Sequence, residues 1–146
     1  MPIRTANARW EGDLKSGKGR MALGTGAFEG QYSFTSRFEE GTGTNPEELI
    51  GAAHSGCFSM ALSHELDQAG FKPKSVSTNA RVHLDKTGDG FSITRIELET
   101  VADVPGIDEA KFQEIAEGAK KGCPVSRALA VEKIDLDASL QAGASG

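Results

Sequence analysis

Apolar and polar residues change their rhythm several times along the chain, and each rhythm predicts an element. Ile3 to Trp10 alternates loosely, and Arg20 to Leu23 is a short strand candidate between glycines. In Tyr32 to Phe38, Tyr32, Phe34 and Ser36 alternate with Ser33, Thr35 and Arg37, the period of two expected of a half-buried strand. Gly41 to Asn45 reads as a loop. Asn45-Pro46-Glu47-Glu48 then reads as a helix start: Asn45 or Thr44 caps, Pro46 suits the first helical position, and two carboxylates face the positive end of the dipole. From Leu49 to Leu66 the residues are apolar almost all round and often small, which predicts a central buried helix stopped at Gly70.

Beyond it, Val76, Thr78, Ala80, Val82 and Leu84 share one strand face. Thr87-Gly88-Asp89-Gly90 is a turn, and Phe91 to Val101 is the returning strand of an antiparallel hairpin. Asp108 caps a second helix with Phe112, Ile115, Ala116 and Ala119 as its core stripe. Gly122-Cys123-Pro124 interrupts that helix, Val125 to Ala130 restarts it, and Lys133 to Leu140 is a last strand. The pattern is α+β in a single domain over residues 1–140, with 141–146 expected to be a disordered tail.

Composition narrows the function. The chain has 146 residues, 18 of them glycine, and a formal net charge of −5 without a basic run, so nucleic acid and anionic membrane surfaces are poor partners. No stretch reaches the roughly 20 apolar residues of a membrane span, and the first ten residues lack the apolar region of a signal peptide, so a cytoplasmic location is expected. In a reducing compartment the two cysteines, Cys57 and Cys123, are inert or catalytic rather than a structural staple.

Cys57 lies in the apolar helix, where a cysteine commonly acts as a small hydrophobe. Cys123 follows Lys120 and Lys121 at a helix junction, a setting that favours thiolate. From spacing alone, a redox pair and two inert thiols both stay open. Arg37 reads as a strand residue, and Glu47 and Glu48 as first-turn carboxylates. His54, three residues before Cys57 on the same face, reads as a hydrogen-bonded core residue before it reads as the base of a Cys–His hydrolase. Paired metal-ligand spacings are lacking, so a metal site is not expected.

Two motifs make the sequence specific. The segment Gly43 to Ser63, with Asn45-Pro46-Glu47-Glu48 leading to His54-Ser55-Gly56-Cys57-Phe58, resembles the signature of the OsmC/Ohr family of osmotically inducible and organic hydroperoxide resistance proteins. Ala119-Lys120-Lys121-Gly122-Cys123-Pro124-Val125-Ser126 is similar to that family's second cysteine motif, and Ser36-Arg37-Phe38-Glu39 resembles the arginine motif of the OsmC branch. Arg20, on an early glycine-rich loop, resembles the Ohr branch's arginine loosely.

The resemblance implies antiparallel sheets wrapped around a central helix in an intertwined homodimer, and a thiol peroxidase acting on organic hydroperoxides in stress defence. Cys57 would be the attacking thiol, Cys123 the resolving one, Arg37 the thiolate's partner and Glu47 the group orienting Arg37. Phe38, Phe58 and Met60 would favour an organic substrate. The reductant would be a small dithiol, often lipoyl, and no metal or organic cofactor would be needed. The competing reading is a stress-induced binding or chaperone-like protein with idle cysteines.

Helix arithmetic adds one expectation. Ten residues of helix rise about 15 Å, too far for one guanidinium to touch both Glu47 and Cys57. Either the helix breaks near Gly51 or Ser55-Gly56, or the Glu47 that pairs with Arg37 comes from the other subunit. The second is expected here, because the helix's small residues invite a symmetric contact.

Overall fold

The computed structural model describes residues 2–141. The chain forms two compact units, Met1–Leu49 and Ile50–Gly146, each considered by itself.

In the first unit, strands β1 (Ala6–Glu11), β2 (Lys18–Leu23) and β3 (Glu29–Tyr32) form an antiparallel sheet in that order. Gly19 pairs with Trp10 on one side and Tyr32 on the other, and those rings lie 5.4 Å apart. A Cβ on residue 19 would fall 2.5 Å from the Tyr32 ring and 2.6 Å from the Trp10 ring, so only glycine fits there.

The expected strand from Tyr32 to Phe38 is corrected here. It ends at Tyr32, and residues Phe34–Phe38 form the short helix α1. Its start is fixed by a capping box: the Ser36 amide donates to Ser33 Oγ at 3.2 Å, and the Ser33 amide donates to Ser36 Oγ at 2.8 Å. These two local bonds decide against an alternation that pointed to strand.

Helix α2 (Pro46–Gln68) starts as the sequence predicts, with the Glu48 amide donating to Asn45 Oδ1 at 2.7 Å. It is unbroken, so the expected alternative of a break near Gly51 or Ser55-Gly56 does not occur.

In the second unit, β4 (Ser75–Thr87) and β5 (Gly90–Asp103) form the predicted hairpin, turning at Gly88 with φ +61°. Helix α3 (Glu109–Gly122) is capped by Asp108, whose Oδ1 accepts from the Lys111 amide at 2.7 Å. Helix α4 (Pro124–Ala128) follows, then β6 (Lys133–Leu140).

Strand β6 runs parallel to β5, which corrects the expectation of purely antiparallel sheets. Helices α3 and α4 intervene between the two strands, and such a helical crossover returns the chain in the same direction. Phe58, Leu62 and Leu66 of α2, Ile96, Leu98 and Ala102 of β5, and Phe112, Ala116 and Ala119 of α3 form the core.

Within this unit α2 buries one stripe only: Gly51, His54, Phe58, Leu62 and Leu66. Gly51 sits 3.4 Å, measured from its would-be Cβ, from Val82 of β4. Ala52, Ala53, Gly56 and Met60 are exposed, Met60 at 77%. The all-round burial expected from the sequence is therefore not met by a single chain. Of the tail, the Gln141 amide donates to Ala102 O at 2.8 Å, and residues 142–146 lie outside the described residues.

Candidate active site

The residues singled out by sequence fall into two groups, one in each unit. In the first unit, the α1 helix carries Arg37 and the first turn of α2 carries Glu47. Arg37 Nε and Nη2 donate to Glu47 Oε1 and Oε2, each at 3.0 Å, a two-pronged match of planar fork to carboxylate. Both residues belong to the same chain. The expectation that Arg37 takes its Glu47 from another subunit is corrected by this pair.

The surrounding bonds explain why the pair is held. Ser36 Oγ donates to Thr44 O at 2.7 Å, and Asn45 Nδ2 donates to Ser36 O at 2.9 Å, tying α1 to the start of α2. The guanidinium lies 5.3 Å from the Phe38 ring centre, which is itself 5.0 Å from that of Phe34. Trp10, Leu14, Tyr32, Phe34, Arg37 and Phe38 line a recess of about 210 Å³, so the cation opens onto an apolar hollow. Arg20 instead reaches Glu29 across the sheet at 2.7 Å in an exposed pair.

In the second unit, Cys57 stands midway along α2, and Cys123 is the joint between α3 and α4. The Cys123 amide donates to Ala119 O at 2.9 Å, and its carbonyl accepts from the Arg127 amide at 3.1 Å, so both helices pin its backbone. The two thiols are close enough to shift each other's titration. Cys57 is half-buried and Cys123 buried.

Their environments push them apart. Burial raises the Cys57 thiol above its usual range, and the hydrogen bond with Cys123 adds to this, against a smaller pull from the Val125 backbone. Burial also acts to raise Cys123, but hydrogen bonds from Cys57 and from the Ser126 amide and hydroxyl outweigh it, so Cys123 lies below the usual thiol range. The same pair of neighbouring thiols is thus shifted in opposite directions, Cys57 up and Cys123 down.

Cys57 opens into a shallow recess of about 400 Å³ lined by Met60, Ala61, His64, Glu65, Ala119, Gly122 and Pro124. Met60 thus stands beside the thiol. Phe58, named with it as a substrate contact, is 0% exposed within the core and offers no surface to a ligand, which corrects that assignment. Helix geometry explains the split: residues two apart on a helix, such as Phe58 and Met60, point about 160° apart.

His54 is fully buried, as a core histidine was expected to be, and its Nε2 lies 2.7 Å from Ser126 Oγ. Cys57 takes Cys123 rather than His54 as its partner, so a Cys57–His54 nucleophile is not formed. Ser126 was not singled out from sequence. Its position three residues after Cys123, at the start of a Pro-initiated helix, was the available signal.

Comparison with known proteins bears on this arrangement. A family model described as OsmC-like protein matches residues 39–139, a span that includes Glu47, Cys57 and Cys123. The chain belongs to the OsmC-like family. This OsmC-like chain is 52% identical over 139 residues to the Peroxiredoxin OsmC of Escherichia coli (strain K12), covering 94% of this chain and 96% of that protein. It is 37% identical over 89 residues, 60% of this chain and 61% of the other, to the organic hydroperoxide resistance protein of Xanthomonas axonopodis pv. citri (strain 306). Among solved structures, the organic hydroperoxide resistance protein OhrB of Bacillus subtilis superposes with a TM-score of 0.70 at 26% identity, covering 94% and 98% of the two chains. An OsmC-type protein from Legionella pneumophila shares the fold at a TM-score of 0.74 and 23% identity, over 97% and 99%. The α+β expectation is met. Among the described residues, no helix is long and apolar enough to cross a membrane.

Proposed function

We propose that this OsmC-like protein is a cysteine-based peroxidase that reduces organic hydroperoxides to alcohols in oxidative and osmotic stress defence. The observation that carries the reading is Cys57 at the mouth of an apolar recess, with the Cys123 thiol as its neighbour. The relative named Peroxiredoxin OsmC, half identical over nearly the whole chain, supports it.

The chemistry follows from the residues. The Cys57 thiolate attacks the terminal peroxide oxygen, the O–O bond breaks, and the alkoxide leaves with a proton as alcohol. Cys57 is then a sulfenic acid. Cys123 displaces its hydroxyl, forming the Cys57–Cys123 disulfide and water. A small dithiol, of lipoyl type, restores both thiols and becomes a disulfide itself. Burial raises the Cys57 thiol, so a nearby cation favours the first step. Arg37, aligned by Glu47 and opening onto the apolar hollow with Phe38, meets that need, and its fork can also polarise the peroxide oxygens. Met60 borders the thiol on the substrate side.

We assign the working form as a homodimer in which the Arg37–Glu47 pair of one chain serves Cys57 and Cys123 of its partner. Three observations support this. Helix α2 is unbroken, so the rise of ten residues keeps its own Glu47 remote from its own Cys57. The small-residue face of α2 around Ala52, Ala53 and Gly56 is exposed. Among the described residues, every buried apolar side chain lies between Phe58 and Ala138, so the first unit has no core of its own. A cytosolic, reducing setting suits a cycle that needs both thiols reduced.

The decisive experiment follows cumene hydroperoxide consumption with a dithiol supplied. Wild type should turn over, Cys57→Ser should not, and Cys123→Ser should stall with Cys57 as a dimedone-reactive sulfenic acid. No turnover by wild type would leave the protein a binding protein instead.

A further inference from the structure

Asn45 caps α2 with its side-chain oxygen, which accepts from the Glu48 amide at 2.7 Å, while its own carbonyl accepts from the Leu49 amide at 3.3 Å. A cap needs only that side-chain oxygen, which serine or aspartate supplies as well. Asparagine adds an amide nitrogen, and here the nitrogen is used: Nδ2 donates to Ser36 O at 2.9 Å. The Glu48 amide requires an acceptor and the Ser36 carbonyl a donor, so the two ends of the side chain cannot be exchanged.

What the nitrogen holds is the carrier of Arg37. Helix α1 has five residues, too few to be stable alone. It ends at Phe38, so the Ser36 carbonyl lies in its last turn, where no later turn of helix follows to supply a donor. One side chain thus ends α1 and begins α2. Arg37 directly follows Ser36, and Glu47 stands two residues after Asn45, so this side chain spans the two backbone segments that present the ion pair.

We propose that Asn45 is a positioning residue for the peroxidase reaction, its single amide group setting the spacing of α1 and α2 at which the Arg37 fork meets Glu47.

Neighbouring bonds take the remaining tasks. The Thr44 amide donates to Gln31 O at 2.8 Å, and the Thr44 carbonyl accepts from Ser36 Oγ at 2.7 Å, which fastens α1 to the loop beside β3. Asn45 carries the tie onward to α2 itself. Thr44 Oγ1 donates to Glu48 Oε1 at 2.8 Å, engaging the adjacent carboxylate, while Glu47 meets Arg37. The bearing on catalysis rests on the peroxidase reading, in which the guanidinium polarises the peroxide oxygens. A group with that task is sensitive to placement: an error of about 1 Å can cost about a hundredfold in rate.

The test compares Asn45→Asp and Asn45→Ser with wild type in the full chain. Both keep an oxygen for the Glu48 amide and lack the nitrogen, and serine adds no charge beside Arg37. If one of them does not fold, the other carries the comparison. The first readout is solvent exchange of the Arg37 Nε proton, followed by nitrogen-15 NMR and assigned by its loss in Arg37→Lys. It should speed by about tenfold or more, while the Glu48 amide stays as protected as in wild type. The second is turnover of cumene hydroperoxide, where kcat should fall by about tenfold to a hundredfold and KM change less. In an Arg37→Ala chain, followed in single turnovers, the same substitutions should cost no further activity. Unchanged Nε exchange in the folded variants overturns the spacing role. Faster exchange with unchanged kcat overturns its bearing on the reaction. A loss in the Arg37→Ala chain as large as in wild type shows Asn45 acting other than through Arg37, and overturns the proposal as well. Failure of wild type to consume hydroperoxide would sink the peroxidase reading instead, and the exchange measurement would still decide whether Asn45 holds the arginine.

Discussion

Arg37 and Glu47 of one chain face each other fork to fork, both oxygens of the carboxylate engaged at 3.0 Å. The geometry fixes the plane of the guanidinium and leaves its third nitrogen unclaimed by the carboxylate. Lysine cannot reproduce a planar two-point contact. Arg37→Lys is therefore expected to lower kcat/KM for cumene hydroperoxide by at least tenfold. Its effect on stability should be about 1 kcal/mol or less, since the arginine is about a third exposed. Glu47→Ala should lower activity in the same direction by releasing the arginine. Paired kinetics and urea melts check both.

Mixing variants tests whether the pair acts across the dimer. A Cys57→Ser chain keeps its Arg37–Glu47 pair, and a Glu47→Ala chain keeps both thiols. A heterodimer of the two should regain one intact site, so activity should rise above the sum of the parents once subunits exchange. Activity that stays at the parental sum, with exchange confirmed by mass spectrometry, places the whole site in one chain.

Stability should depend on pH through His54. Burial lowers its pKa in the folded protein from the ordinary value near 6.5. Below that value the unfolded chain binds a proton that the folded chain refuses, so stability falls as pH drops from about 6.5 toward the lowered folded value. Above it both states are neutral and the contribution vanishes. Urea melts between about pH 7 and 5 should show this slope, flattened in His54→Gln.

Gly19→Ala should destabilise the protein by about 1–3 kcal/mol, because the new methyl overlaps the Trp10 and Tyr32 rings. The measurement is a thermal or denaturant midpoint, with Gly26→Ser as a control. Residue 26, unlike residue 19, has a positive φ and has open space around it, so its cost is conformational only.

The sequence carried much of this structure. Caps at Asn45 and Asp108, the hairpin turn at Gly88 and the joint at Cys123 all lie where residue types alone put them, because capping and turn chemistry are local. What escaped was settled by finer or longer contacts. The Ser33–Ser36 box overrode an alternation of only seven residues, which is too short to discriminate. The direction of β6 depends on where a crossover lands, which local pattern does not encode. Phe58 and Met60 looked equivalent by composition, and the phase of the helix separated them. Ser126 was silent because a serine beside a helix start ordinarily reads as a cap.

The placement of the core has a consequence for biosynthesis. Chains leave the ribosome from the N-terminus, and the stretch made ahead of the core, up to Leu49, contributes no buried apolar side chain among the described residues. It has nothing to collapse onto at that stage. Folding must start from the later-made residues, whose core closes only when β6 is complete. Removing β6 should therefore cost the nascent chain its foothold entirely, whereas trimming the first strand should spare it.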